Sequence, residues 1–145
     1  MLKKTVAAIA FVLTILTFGA AANDSEVAVI HLRGAAAASG EAVFRTSSEF
    51  SPFQYSLGVT VYGLKPNSIY SVWLSGHHGK EGREALGIGS NHFKTDGAGN
   101  GRYVTYASHL TLREWRVLEI DYHPDNDPKN TKDMVIVLKG NFRFY

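Results

Sequence analysis

Between Phe53 and Tyr62 the chain alternates strictly. Tyr55, Leu57, Val59 and Val61 fall on one side, and Gln54, Ser56, Gly58 and Thr60 on the other. A period of two is the period of a β-strand, and an apolar face on that period has to lie on a core. The pattern recurs. Ala28, Ile30 and Leu32 share a face within 26–32, and Tyr70, Val72 and Leu74 oppose Ser71 and Trp73 within 69–74. Leu118, Ile120 and Tyr122 alternate within 116–122. Shorter stretches at 41–45, 91–95 and 102–107 read as strands, and Met134 to Leu138 is an apolar run of the buried kind.

Between these runs lie turn signals. Asp96-Gly97-Ala98-Gly99-Asn100-Gly101 is a turn by composition, because Gly and Asn tolerate positive φ. Ala35 to Ala38, bounded by glycines, reads as a loop. Ser75 to Gly89 reads as a long loop rich in Gly, His and charge, and His123 to Lys132 as a polar loop with two prolines. Only Leu110 to Trp115 suggests a short helical turn, capped by Ser108 or Thr111. Eight or so short strands with turns between them predict an antiparallel β-sandwich.

The N-terminus carries a different signal. Lys3 and Lys4 precede an apolar run from Val6 to Phe18, and Gly19-Ala20-Ala21-Ala22 supplies small residues. That is the layout of a signal peptide over residues 1–22, cleaved near Ala22. It predicts a secreted or periplasmic protein whose single domain is 23–145. The competing reading is a retained anchor. Val6 to Ala22 is 17 residues diluted by Thr14 and Thr17, whereas a span needs about 20 apolar residues. No stable membrane span is expected after cleavage.

Composition narrows the chemistry. Without the signal's two lysines, 13 basic residues face 13 acidic ones. That balance leaves no basic stripe to neutralise phosphates, so no nucleic-acid partner is expected. With no cysteine, disulfides, zinc–thiolate sites, iron–sulfur clusters and thiol nucleophiles are excluded. There is no Gly-x-Ser-x-Gly elbow, and Gly87-Ile88-Gly89 lacks the Lys-Ser/Thr of a phosphate loop.

Two family resemblances bear on the fold. Gly63-Leu64-Lys65-Pro66-Asn67-Ser68-Ile69-Tyr70 resembles the G-L-x-P-x-[ST]-x-Y segment of fibronectin type III and related immunoglobulin-like sandwiches. The resemblance implies a tyrosine corner, with the Tyr70 hydroxyl bonded to upstream backbone. The fold class expected is therefore all-β, an antiparallel Ig-like/Greek-key β-sandwich of about 7–9 strands. More loosely, the order of elements resembles Cu/Zn superoxide dismutase. Val27 to Gly34 and Gly40 to Phe44 are similar to its first strands, Gly63-Leu64 to the Gly-Leu before its metal-binding strand, and 93–101 to the hairpin after its zinc loop. Leu118 to Asp127 is similar to its late strand and acidic loop. That family places a His-x-His pair where this chain reads Tyr70-Ser71-Val72-Trp73-Leu74, and only His123 lies near a matching ligand position. The family's disulfide cysteines are missing as well. The resemblance supports a sandwich and argues against dismutase chemistry.

Three groups of residues remain as candidate sites. His77, His78, His92 and His123 lie on loops and strand ends, where they would either build a copper or zinc site or stand as solvated side chains. Asp121, Asp125, Asn126, Asp127 and Asp133 offer oxygen ligands for Ca²⁺, or an ordinary acidic turn. Trp73, Arg83 and Trp115, beside the 75–92 loop, are the candidate binding surface. The leading expectation is an exported, non-catalytic module that binds an unidentified protein or a carbohydrate, or serves a structural role. The alternative is a divergent dismutase-like metalloprotein with a His-built copper or zinc site. A third reading is an assembly component whose open sheet edge pairs with a partner strand.

Overall fold

The computed structural model describes residues 26–46, 54–77 and 81–145. The signal-peptide reading of 1–22 lies outside the described residues, as does His78. The chain runs β1 (Glu26–Gly34), β2 (Ser39–Thr46), β3 (Gln54–Tyr62), β4 (Ile69–Ser75), β5 (Glu84–Ala85), β6 (His92–Lys94), β7 (Gly101–Ser108), α1 (His109–Glu114), β8 (Val117–Tyr122) and β9 (Val135–Asn141). The fold is all-β and antiparallel, with nine strands among the described residues. No described helix is long and apolar enough to cross a membrane.

The strands follow one path, β5-β4-β8-β9-β1-β2-β3-β7, with β6 also paired to β4. Apart from the two-residue β5 at its end, the path is tightly joined except at β1 and β9, which share only Arg33↔Lys139 and Gly34↔Leu138. Gly34 permits that junction, because a Cβ there would run into the Val137 carbonyl oxygen. The sheet curls about this seam into a sandwich-like fold. Ile30, Leu32, Phe44, Leu57, Val59 and Val61 from β1–β3 meet Val72, Leu74, Leu118, Ile120 and Leu138 from β4, β8 and β9 in a single core. These are the apolar positions that the period of two picks out.

The turn before β4 is fixed by its tyrosine. The buried Tyr70 hydroxyl accepts the Lys65 backbone N–H at 2.9 Å, and Tyr70 stacks on Phe93 with centroids 5.8 Å apart. Burial raises the phenol's pKa, so the hydroxyl stays protonated in ordinary buffers. Tyr70→Phe removes the acceptor and should cost about 1 kcal/mol. The check is a lower urea midpoint at unchanged slope; an unmoved midpoint would show that water replaces the bond without loss.

Two features differ from the sequence expectation. The 134–138 run, expected to be buried, becomes β9 with Val135 51 % and Ile136 49 % exposed, and only Leu138 of that strand's apolar residues is fully buried. The 75–89 loop contains β5, which pairs Trp73↔Ala85 and Leu74↔Glu84. The expected helical turn is present as α1, capped by the Ser108 side chain, which accepts the Thr111 N–H at 3.1 Å.

Candidate functional site

Because Tyr70, Val72 and Leu74 turn into the core, Ser71, Trp73 and Ser75 turn to the opposite face of β4. β8 lies alongside with Ser71↔Asp121 and Trp73↔Glu119 in register. Glu119, Asp121 and, just past the strand, His123 therefore share that outer face. An outer face would ordinarily meet water. Here the 81–91 segment runs along the edge of β4 away from β8, held by Leu86 N–H to Val72 O at 3.0 Å and Val72 N–H to Asn91 O at 2.8 Å, and sends the Arg83 side chain onto that face. Asp121 and His123 are fully buried, and Glu119 is 7 % exposed.

Arg83 closes the cluster. Its Nη2 lies 2.5 Å from Asp121 Oδ2 and 2.8 Å from Glu119 Oε2. The guanidinium sits over the Trp73 ring, 5.2 Å from its centroid, which suits a planar, weakly hydrated cation. Ser75 donates to Glu119 Oε1 at 2.7 Å. Burial pushes the Asp121 carboxyl above its ordinary range, and the hydrogen bond and charge of Arg83 work against that rise. Asp121 Oδ1 and His123 Nδ1 have no hydrogen-bond partner, and Glu119 Oε2 meets Arg83 as an ion pair without an aligned hydrogen bond.

Ser71 and His123 form the other half. Ser71 Oγ and His123 Nε2 are 2.8 Å apart, a nucleophile–base distance. Trp73 Nε1–H, however, donates to the same serine oxygen at 2.7 Å. No carboxylate orients His123 through Nδ1, and Ser71 and His123 are 1 % and 0 % exposed. A triad needs an oriented imidazole and a reachable oxygen, and this pair has neither. It is a polar link between β4 and the loop after β8.

The imidazoles singled out in the sequence are dispersed. His77 lies beside α1, its Nε2 3.6 Å from Glu114 Oε2 and its ring edge-on to Trp115. His92 is exposed on β6 across from Ser71, with Nδ1 2.9 Å from Ser90 Oγ. Among the described residues, no three His, Asp or Glu side chains are grouped to hold a metal ion.

The expected binding surface is also redistributed. Trp73 and Arg83 do come together, with the half-exposed guanidinium turned onto the buried carboxylates. Trp115 corrects the expectation: it is 7 % exposed, and its Nε1–H donates to Glu84 Oε2 at 3.1 Å. Its ring lies against His77 at the end of α1, so it offers no open platform.

In the late loop the acidic side chains cap their own backbone. Asp125 accepts the Asp127 N–H and the Asn130 amide, and Asp127 accepts the Lys129 N–H. These bonds hold the Asp125 carboxyl below its usual range. Asp121 stands apart from that loop, in the ion-pair cluster. The sequence reading missed the pairing of Arg83 with Glu119 and Asp121. The available signal was two acids at alternate positions of the otherwise apolar run Leu118-Glu119-Ile120-Asp121. No protein-family model matches this chain, and a search of curated proteins finds no match.

Proposed function

We propose that this chain is an exported, non-catalytic β-sandwich module with a binding or structural role. The carrying observation is the Arg83 closure. Among the described residues, the face that gathers acids, a histidine and a serine is closed by the chain's own guanidinium. A guanidinium between two carboxylates supplies the positive charge that a bound cation would otherwise bring. Export is supported by the Lys3–Ala22 pattern.

A specific observation favours the dismutase-like lineage over the immunoglobulin one. β1, β2 and β3 pair consecutively, whereas immunoglobulin order puts the second and third strands in different sheets. The module is then a dismutase-like sandwich whose outer face carries an ion pair in place of imidazole ligands.

The test is elemental analysis of the chain purified through an export pathway, before and after copper reloading, followed by a superoxide assay. The expected result is sub-stoichiometric copper and zinc and no turnover. About one tightly held metal per chain, lost on joint substitution of His77 and His78, would replace this reading with the metalloprotein one.

A further inference from the structure

β1, β2, β3 and β7 turn alternate side chains away from the core. Ile30, Ala42, Val59 and Tyr103 are buried, so Val29, Val43, Gly58 and Val104 stand on the outer face. These four form one row across four strands, in register as Val29↔Val43, Val43↔Gly58 and Gly58↔Val104. Val29 and Val104 are exposed and Val43 is half-buried. The solvated face of an antiparallel sheet is ordinarily polar, and a valine row that crosses it is a contact surface.

Gly58 notches the row. Among the described residues, no atom beyond its chain neighbours lies within 4 Å of the point a Cβ would occupy. Glycine weakens a strand interior, and the packing of this chain does not call for it there. The next row runs His31↔Glu41, Glu41↔Thr60 and Thr60↔Arg102. Glu41 and Arg102 are exposed and two strand spacings apart, about 10 Å. Among the described residues neither makes a salt bridge.

We propose that this face packs on the same face of a second copy, about a two-fold axis lying in the interface, nearly along the strands and between β2 and β3. Sheets packed face to face keep their strands within about 30° of each other, so rows lie over like rows near the axis. Val43 then enters the second copy's Gly58 notch, and Val29 lies over the second copy's Val104. Glu41 comes beside the second copy's Arg102. The symmetry makes each contact twice. One face carries both knob and notch, and both acid and guanidinium, which is why the occupant is a second copy and not a foreign protein. The valines supply burial, and the Glu–Arg pairs set orientation more than affinity.

Sedimentation of the full chain, exported and purified, tests the proposal across a micromolar concentration series. The mass should rise from one chain toward two. Gly58→Lys fills the notch and places an ammonium between the sheets, so association should weaken about tenfold or more. Its melting temperature as a monomer should not fall, because the position has room for a side chain. If it does fall, the charges decide. Glu41→Arg and Arg102→Glu should each weaken association, and the double variant should restore it. Val135→Lys, on exposed β9, should change nothing. A monomer at every concentration would overturn the proposal. So would a dimer that Gly58→Lys leaves intact in a stable fold, or one that the double charge swap fails to restore. None of these readouts depends on metal content or turnover, so this proposal and the functional one fail separately.

Discussion

Arg83→Met is expected to lower stability by about 3 kcal/mol at pH 8, or roughly 10 °C in melting temperature. Methionine retains much of the side chain's apolar contact with Trp73 and removes only the charge. Asp121 and Glu119 are then left on a dry face with no cation, which costs far more than an exposed pair would. The figure is at the low end of the range for broken buried pairs, because the Arg83 side chain is 30 % exposed.

The loss should depend on pH in a defined direction. Burial raises the folded-state pKa of Asp121 above 3.8, and Arg83 is what restrains the rise. A carboxyl with a raised folded pKa is neutral in both states at low pH and imposes no penalty there. Its penalty grows as pH rises above the unfolded value and is complete once pH passes the folded one. Without Arg83 that value moves further up, so the penalty should shrink as pH falls toward 5. Adding Glu119→Gln and Asp121→Asn to Arg83→Met should recover most of the loss at pH 8, because neutral polar groups do not need the cation. Urea titrations at pH 5 and pH 8 on the three proteins decide it. An equal loss at both pH values would mean that Arg83 acts by packing and not by charge.

The strands were legible because their signal is local. In Gln54–Tyr62 and Ile69–Ser75 the apolar face can be read residue by residue, and the core uses those faces. The Tyr70 bond to Lys65 and the Ser108 cap of α1 were legible for the same reason: each spans at most five residues. The closed face was not. Arg83 is 38 residues from Asp121, and their meeting depends on β4 lying beside β8 in one register, with a loop along the edge of β4 that turns its arginine back onto both. Nothing in a Gly- and charge-rich loop distinguishes an arginine that faces water from one that folds back over a sheet. β5 was illegible for a different reason. Its pairing with Trp73 and Leu74 is a backbone ladder of two residues, too short to impose a side-chain pattern. Trp115 was misplaced because its burial rests on His77 and Glu84, more than thirty residues earlier in the chain, and the six residues of α1 carry no record of that.

Phe44→Ala is expected to have the largest effect of any single truncation considered, about 4 kcal/mol. Phe44 is fully buried on β2. Its ring meets Phe144 edge-on at 5.1 Å and Phe142 at 6.0 Å, and Tyr55 of β3 lies 5.3 Å from Phe144. The chain reaches this position after β9, where the Phe142 N–H bonds to Arg116 O at 2.8 Å. Phe44 is thus the point at which the chain's last residues are fastened to the β1–β3 half of the core. Alanine there empties a ring-sized volume walled by β-strands on one side, which cannot collapse inward without breaking ladder bonds. Phe144→Ala removes an equal ring from the cluster's other side, where the backbone past β9 belongs to no strand and can shift to fill the space. It should cost about half as much. The double variant should fall short of the sum by about 1 kcal/mol, the coupling expected of an edge-to-face pair in contact. Chemical denaturation of the four proteins closes the cycle. Strict additivity would show that the tail lies on the core without being fastened to it, and that the aromatic cluster stabilises through buried area alone.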